Sequence, residues 1–183
     1  YKTMERYIGE FIIKKFDINR VRFEKNTHRP KHCVIIGRRS TGKTTLVCDI
    51  LNHNKDITRG TIIHAGVESN RKYSQYLPEE DIHEEYKDEL IEHNIKRQRD
   101  TNRRIRDQKE ENKEPTEDSR NFIVFDDCFF EEWYKKKILK MLHMNSRCWS
   151  TMLIKTMNYP LRCPPVLLPN IDYIFILRED YRT

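Results

Sequence analysis

The sequence predicts an α/β fold, a three-layer α/β/α sandwich built around a mainly parallel central sheet. Short apolar runs typical of strands alternate along the chain with segments of helical spacing, which is the order of elements in a parallel sheet with crossover helices. The runs are apolar at consecutive positions, as expected of strands buried on both faces. At 183 residues the chain is long enough to bury one core of this kind.

Each predicted element follows from its own residues. The predicted strands are residues 32–37, 61–67, 122–125, 151–156 and 172–177. After the first of them, Leu46, Val47, Ile50 and Leu51 fall on one face of a helix. WYKKKILKMLHM, Trp133 to Met144, predicts a second helix between two strands.

The chain divides by composition. Residues 1–30 mix apolar and basic side chains and predict edge strands or an extension, whereas residues 31–183 hold the predicted core. Within the core, about residues 78–120 are almost wholly polar, and they predict an inserted surface helix to about Arg106 with a mobile linker from Asp107 to Arg120. The chain starts without Met and stops soon after a strand-like run, so we expect a C-terminally truncated piece of a longer protein.

Composition narrows the class of partner. A formal net charge of +6 and a pI near 9.0 favour an anionic partner without choosing among nucleic acid, nucleotide and acidic lipid. The five cysteines are scattered and form no CxxC pair, which argues against a disulfide framework or zinc site and favours a reducing compartment. No apolar run approaches the ~18 residues that a membrane span needs.

The most specific motif is GRRSTGKT, Gly37 to Thr44, which matches the P-loop pattern G-x-x-x-x-G-K-[ST] between a predicted strand and a predicted helix. Glycines permit the turns that bring backbone N–H groups around a phosphate, and the following helix directs its positive dipole end at the same anion. Lys43 is expected to reach the β- and γ-phosphates of ATP, and the Thr44 hydroxyl to ligate Mg²⁺. A turn without a ligand is the alternative. The predicted nucleotide-binding residues are Gly37, Arg38, Arg39, Ser40, Thr41, Gly42, Lys43, Thr44 and Thr45.

Two adjacent aspartates follow the strand of residues 122–125. Burying such charges is costly unless they reach solvent or meet a cation. In P-loop NTPases a second strand ends in an Asp that holds the magnesium, which makes Asp126 the candidate metal ligand. Asp127 is the candidate catalytic carboxylate that polarises the attacking water, and Glu68 is a weaker one. A solvated acid at a strand end is the alternative for each.

The strand of residues 151–156 supports the hydrolase interpretation. In the P-loop proteins that use a carboxylate-activated water, the corresponding strand inserts between the two motif strands, which gives the predicted order 5-1-4-3-2. A polar residue at its end then senses the γ-phosphate, and Asn158 is the candidate. An ordinary turn residue before Pro160 is the alternative.

Four segments carry a resemblance to one family, and they are GRRSTGKTTLVCDIL, IVFDDC, NSRCWSTMLIKTMNY and PPVLLPNIDYIFILRE. Together they resemble the motifs of the DNA-packaging ATPases of nucleocytoplasmic large DNA viruses. These are poxvirus-type relatives of the FtsK/HerA translocases, with a RecA/FtsK-like P-loop fold. The resemblance implies an ATP- and Mg²⁺-dependent motor that moves double-stranded viral DNA into a capsid. It also implies a homo-oligomeric ring, a pentamer or hexamer, that works with capsid or portal components in the virus factories of the host cytoplasm or in the virion.

The chain also departs from the family pattern. Arg147 matches a family arginine and is a catalytic candidate, but it is followed by Cys148 where relatives usually have histidine. Asn158 stands where glutamine is common, and Leu168 stands where an arginine is common. If that arginine serves the ATP of a neighbouring subunit, its charge has to come from another one, with Arg147, Arg162 and Arg178 as candidates. Loss of such an arginine costs ~10³–10⁵ in rate in GTPases.

Two other functions are compatible with the motifs. A P-loop kinase of small metabolites needs a basic lid, which the run from Lys96 to Lys109 would imitate. A nucleotide-binding assembly protein with weak turnover is compatible with Leu168. The same basic run, together with residues 135–137, is a candidate DNA contact, and a solvated helix face is the alternative.

Overall fold

Among the residues that the structure describes, six strands form the central sheet, all of them parallel, which confirms the predicted α/β class. The computed structural model describes residues 6–8, 11–13, 15–25, 29–66, 70–128, 133–158 and 165–177. The strands of the sheet are β3 (His32–Ile36), β4 (Gly60–His64), β5 (Ile82–His83), β6 (Asn121–Asp126), β7 (Thr151–Met157) and β8 (Tyr173–Ile176).

The strand order is β5-β4-β6-β7-β3-β8. It differs from the predicted five-strand order because β5, a strand of two residues, lies at the edge beside β4. Strand β5 could not be predicted from the sequence, because two residues are too few to show a hydrophobic period. Strand β7 lies between β6 and β3, and all seven of its residues are buried.

Alternating side chains of the strands face two separate apolar layers. On one face, Cys33 and Ile35 of β3 pack with α1 (Lys43–Asn52) and with Val21 and Phe23. On the other face, Val34 packs with α3 (Asp88–Glu110) and α4 (Lys137–Asn145). Because both faces carry helices, the middle of each central strand has apolar residues at consecutive positions, and this explains why the strands could be predicted from the sequence.

The polar region of residues 78–120 is more ordered than predicted. A 3₁₀ helix (Glu79–Asp81) and β5 come first, and α3 then runs from Asp88 to Glu110, past the predicted end at Arg106. The expected mobile linker is instead fixed by ion pairs. Glu117 pairs with Arg104 at 2.7 Å, and Arg120, only 4% exposed, pairs with Asp56 at 2.7 Å.

The N-terminal region also differs from the prediction. Strands β1 (Arg6–Ile8) and β2 (Phe11–Ile13) pair antiparallel with each other in a separate sheet, so they are not edge strands of the central one. A 3₁₀ helix (Ile18–Val21) follows, capped by the Asp17 side chain, and buries Val21. No helix among the described residues is both long and apolar enough to cross a membrane.

Candidate functional site

The glycine-bounded loop follows β3 directly and ends at the first residue of α1. Its two glycines are required by different constraints. A Cβ on Gly37 would lie 2.7 Å from Thr41 Oγ1 and 2.9 Å from Leu177 Cβ, so no larger residue fits without a shift. Gly42 precedes α1 as its N-cap with a φ of 95°, a left-handed conformation that glycine adopts at no steric cost. Ser40 also has a positive φ, of 59°.

Lys43 is 7% exposed, and its ammonium group lies inside the loop. It donates to the carbonyl oxygens of Gly37 at 2.9 Å and Arg38 at 3.0 Å. A third bond, of 2.8 Å, runs to Oδ1 of Asn158 just beyond β7. The loop lysine and the predicted sensor residue are therefore in direct contact.

Asp126 is the last residue of β6, is 3% exposed, and accepts hydrogen bonds from three hydroxyl groups. Thr44 donates to Oδ2 at 2.8 Å, which brings the loop and the acidic strand end together as the sequence predicts. Tyr73, from α2 (Asn70–Tyr73), donates to the same oxygen at 2.7 Å, and Thr156 of β7 donates to Oδ1 at 2.8 Å. Among the described residues no cation pairs with this carboxylate.

Asp127 has a φ of 55°, in the left-handed region that Asp and Asn tolerate better than most residues. Two contacts fix it there. Its N–H donates to Thr156 Oγ1 at 2.8 Å, and its Oδ1 accepts from Asn158 Nδ2 at 2.6 Å. The amide of Asn158 thus bridges Lys43 and Asp127, since its oxygen accepts from one and its nitrogen donates to the other.

Burial also sets the protonation state of two neighbours of Asp126. Burial and then the negative charge of Asp126 raise the pKa of Tyr73, so its hydroxyl keeps the proton that it donates. Burial and then Asp126 raise the pKa of the Cys128 thiol to about 12, so it stays a neutral thiol at physiological pH.

Except for Arg147, the other residues predicted for the site lie in the loop, in α1 or outside the described residues. Arg38 and Thr41 are half-buried in the loop, where Thr41 Oγ1 donates to the Arg38 carbonyl at 2.8 Å, while Arg39 and Ser40 are exposed. Thr45 is exposed on the first turn of α1. Glu68, Arg162 and Arg178 lie outside the described residues.

Arg147 lies near the amino ends of the parallel strands. It follows α4 and precedes β7, and it donates to Asp172 Oδ1 at 2.9 Å just before β8 begins. Asp126 instead ends β6, so the two residues lie at opposite ends of parallel strands. Arg147 is therefore not brought to the cluster within one chain.

The donor set fits a magnesium ion that is also held by a phosphate. Mg²⁺ prefers hard oxygen ligands and usually takes one or two carboxylates, several waters and substrate phosphates. Asp126 and Thr44 supply a carboxylate and a hydroxyl that are already 2.8 Å apart. The described residues contain no group of three or more His, Cys, Asp or Glu side chains that could hold a metal by themselves.

Sequence reasoning missed Tyr73 and Thr156. Thr156 lies on a strand predicted only as an apolar run, although alternation along that strand could have placed its side chain beside the acidic pair. Tyr73 gave no comparable signal, because it belongs to a helix of four residues far from the acidic strand in sequence.

No protein-family model matches the chain. It is similar to an uncharacterized protein of Invertebrate iridescent virus 6, with 31% identity over 175 residues, which are 93% of this chain and 64% of that protein. It is also similar to an uncharacterized protein of Acanthamoeba polyphaga mimivirus, with 28% identity over 94% of this chain and 58% of that protein. A third relative, an uncharacterized protein of Frog virus 3, is 24% identical over 80% of this chain and 44% of its own length. The chain therefore spans less than two thirds of the relatives that it matches.

Proposed function

We propose that this chain is the ATP-hydrolysing part of a motor that moves double-stranded DNA into a viral capsid. One observation carries the proposal: Lys43, Thr44, Asp126, Asp127 and Asn158 come from three separate segments and form one hydrogen-bonded cluster. The motor, the ring and the DNA are proposed from the resemblance to DNA-packaging ATPases alone, and the relatives add only that similar proteins occur in an iridescent virus and a mimivirus.

Each residue of the cluster has a distinct role in the proposal. Gly37, Gly42 and Lys43 hold the phosphates of ATP, while Thr44 and Asp126 hold the magnesium. The magnesium neutralises phosphate charge when bound. Asp127 takes a proton from the attacking water, and Asn158 keeps that carboxylate oriented through its 2.6 Å bond.

The basic half of α3 is the surface proposed for DNA. Some of its charges are engaged within the chain, since Arg97 pairs with Asp81 and Arg104 with Glu117, and the exposed Arg103 and Arg106 approach Asp107 and Glu110. A cavity of about 710 Å³ between α3 and α4 is lined by two acids, Glu92 and Asp100, and by four basic residues, Lys96, Arg99, Arg103 and Arg106. Nonspecific contact with phosphates needs little more than such charges, and it weakens steeply with salt.

The placement of this basic run disfavours the kinase alternative. Arg97 donates to the carbonyl of Gly60, the first residue of β4, so the run lies near the amino ends of the strands. Asp126 and the loop lie at the carboxyl ends. A lid over the phosphates would have to come from the other end of the sheet.

A nucleotide-binding assembly protein with weak turnover remains the second candidate. The observation that favours it is the place of Arg147, which is engaged with Asp172 away from the cluster. Leu168, where the family commonly has arginine, is 47% exposed. Without an arginine at the γ-phosphate, binding would persist while hydrolysis slowed.

An ATPase assay with and without duplex DNA tests the proposal, using Lys43→Ala as the site variant. We expect DNA-stimulated phosphate release by the unchanged chain. Lys43→Ala should lose nucleotide binding, because the ammonium group that meets the phosphates is gone. Lys55→Ala, at an exposed position after the end of α1, is the matched control for the loss of a lysine charge.

Three outcomes separate the candidate functions. Phosphate release stimulated by DNA supports the motor, whereas transfer of phosphate to a nucleoside supports the kinase. Tight ATP binding without release supports the assembly protein. If Lys43→Ala binds ATP with unchanged affinity, the assignment of this loop as the nucleotide site is wrong.

A further inference from the structure

Tyr73 is a fully buried tyrosine whose hydroxyl ends on the acidic cluster. Its side chain is 0% exposed, and its ring lies 5.8 Å from the His64 ring at the end of β4. The hydroxyl lies 2.7 Å from Asp126 Oδ2. The roles proposed for the loop, the acidic pair and Asn158 do not account for this hydrogen bond.

Both oxygens of Asp126 are held from different sides of the carboxylate. Tyr73 and Thr44 share Oδ2, while Thr156 binds Oδ1 and also accepts the N–H of Asp127. With both oxygens bonded, the carboxylate cannot turn about its own axis without breaking a bond. The orientation of Asp126 is therefore set by side chains of α1, α2 and β7.

The donors that hold Asp126 are neutral. A lysine or arginine in their place would orient the carboxylate but would also cancel its charge, and a cancelled charge attracts a cation weakly. Hydroxyl groups orient the carboxylate and leave its negative charge in place. This is the arrangement found around metal-binding carboxylates, which are themselves hydrogen-bonded by an outer shell of side chains.

We propose that Tyr73 is a positioning residue for Asp126, and that its hydroxyl sets the affinity of the site for the divalent cation that accompanies the nucleotide. The inference rests on the proposed nucleotide site. Two hydroxyl groups donate to Oδ2 of Asp126. The Thr44 hydroxyl is also a proposed metal ligand, whereas the Tyr73 hydroxyl has no other proposed role. Tyr73 does not touch the nucleotide in this account and acts through Asp126.

The substitution Tyr73→Phe removes the hydroxyl and leaves the buried ring. The measurement is the affinity of the chain for a nonhydrolysable ATP analogue as Mg²⁺ is titrated, with a parallel measurement in EDTA. We expect the Mg²⁺ concentration at half-maximal effect to rise about 10-fold, the low end of what loss of an outer-shell partner costs a metal site. Affinity for the analogue in EDTA should stay unchanged.

Tyr76→Phe is the matched control. Tyr76 lies one turn beyond Tyr73, and its hydroxyl donates to the Cys48 carbonyl and to Asn52 Oδ1, away from the acidic pair. Its removal should leave the Mg²⁺ dependence as in the unchanged chain.

The outcomes decide between positioning and plain stability. A Tyr73→Phe chain with an unchanged Mg²⁺ midpoint, or with equal losses in Mg²⁺ and in EDTA, would overturn the inference and leave the proposed site intact. If Tyr73→Phe does not fold, the hydroxyl is needed for stability, and the inference that it positions Asp126 is overturned as well. If the unchanged chain binds no analogue under either condition, the proposed function fails and this inference fails with it.

Discussion

At the scale of single residues, Asp127 combines an unusual backbone conformation with a position next to the loop lysine. Its φ of 55° is stabilised by the bond from its N–H to Thr156 and by the bond from Asn158. A residue held in such a conformation by its surroundings is often part of a working site. Asn and Gly tolerate the same conformation, which makes clean substitutions available.

The substitution Asp127→Asn should separate binding from turnover. Asn keeps the left-handed backbone and an oxygen that can accept from Asn158, so the fold and the affinity for ATP should persist. Phosphate release should fall by about 10²–10⁴, the usual contribution of a general base. Single-turnover phosphate release, measured beside nucleotide affinity, checks this. Full activity in the variant would mean that another acid, such as Glu68, is the general base.

The sequence predicted most of this cluster but not its surroundings. Gly37 to Thr44 and the acidic pair were identifiable because their chemistry fixes residue type and spacing locally. Tyr73 and Thr156 were not, because a hydroxyl reaching a carboxylate across the fold depends on tertiary packing. Arg147 was placed by resemblance alone, and its bond to Asp172 could not be predicted from spacing.

At the scale of elements, the segment after α3 is held to the core by ion pairs rather than by buried apolar side chains. Residues 111–120 contain few apolar side chains, and composition therefore predicted a linker. Arg120 holds this segment to the core: it is 4% exposed, it pairs with Asp118 at 2.6 Å and with Asp56 at 2.7 Å, and it donates to the Phe23 carbonyl. One buried guanidinium thereby joins the segment before β6 to the N-terminal part of the chain. Composition could not predict this contact, because it does not distinguish a charged side chain in a buried ion pair from one that is solvated.

Arg120→Ala should lower the free energy of unfolding by about 2 kcal/mol at pH 7, less than the ~3–5 kcal/mol of a wholly buried pair because both acids are partly exposed. Denaturant unfolding followed by circular dichroism measures it. Arg22→Ala is the matched control, since Arg22 approaches the same Asp56 at 3.9 Å with 47% of its side chain exposed. An equal loss in both variants would contradict the assigned role of Arg120.

The same pairs make stability depend on pH. Burial raises the pKa of Asp56 and of Asp118, but hydrogen bonds and charge from Arg120 outweigh it, so each pKa lies below its ordinary value of 3.8. A lowered pKa in the folded state stabilises the fold above pH 3.8, and this contribution disappears as the pH falls through the lowered value. The difference in stability between the unchanged chain and Arg120→Ala should therefore shrink below that pH.

At the scale of the whole molecule, the distance between Arg147 and the acidic cluster bears on assembly. If a second copy supplies the arginine at the γ-phosphate, one chain alone is an incomplete ATPase. Activity per subunit should then rise with protein concentration as copies associate. Steady-state rates measured beside sedimentation velocity over the same concentrations check this. A rate per subunit that stays constant from monomer to oligomer would show that each chain is complete by itself.

The pairing of β3 also has a consequence for synthesis on the ribosome. Strand β3 comes first along the chain among the strands of the central sheet, yet its neighbours are the last two, β7 and β8, so that His32 pairs with Leu153 and Cys33 with Tyr173. Until those late strands emerge from the exit tunnel, the nascent chain carries β3 with both of its edges open. Contacts so distant in sequence slow folding and prolong exposure of apolar segments. The glycine loop is translated well before β7 and β8 and reaches its final place only after they pair with β3, so a chaperone has a long interval in which to act on this segment.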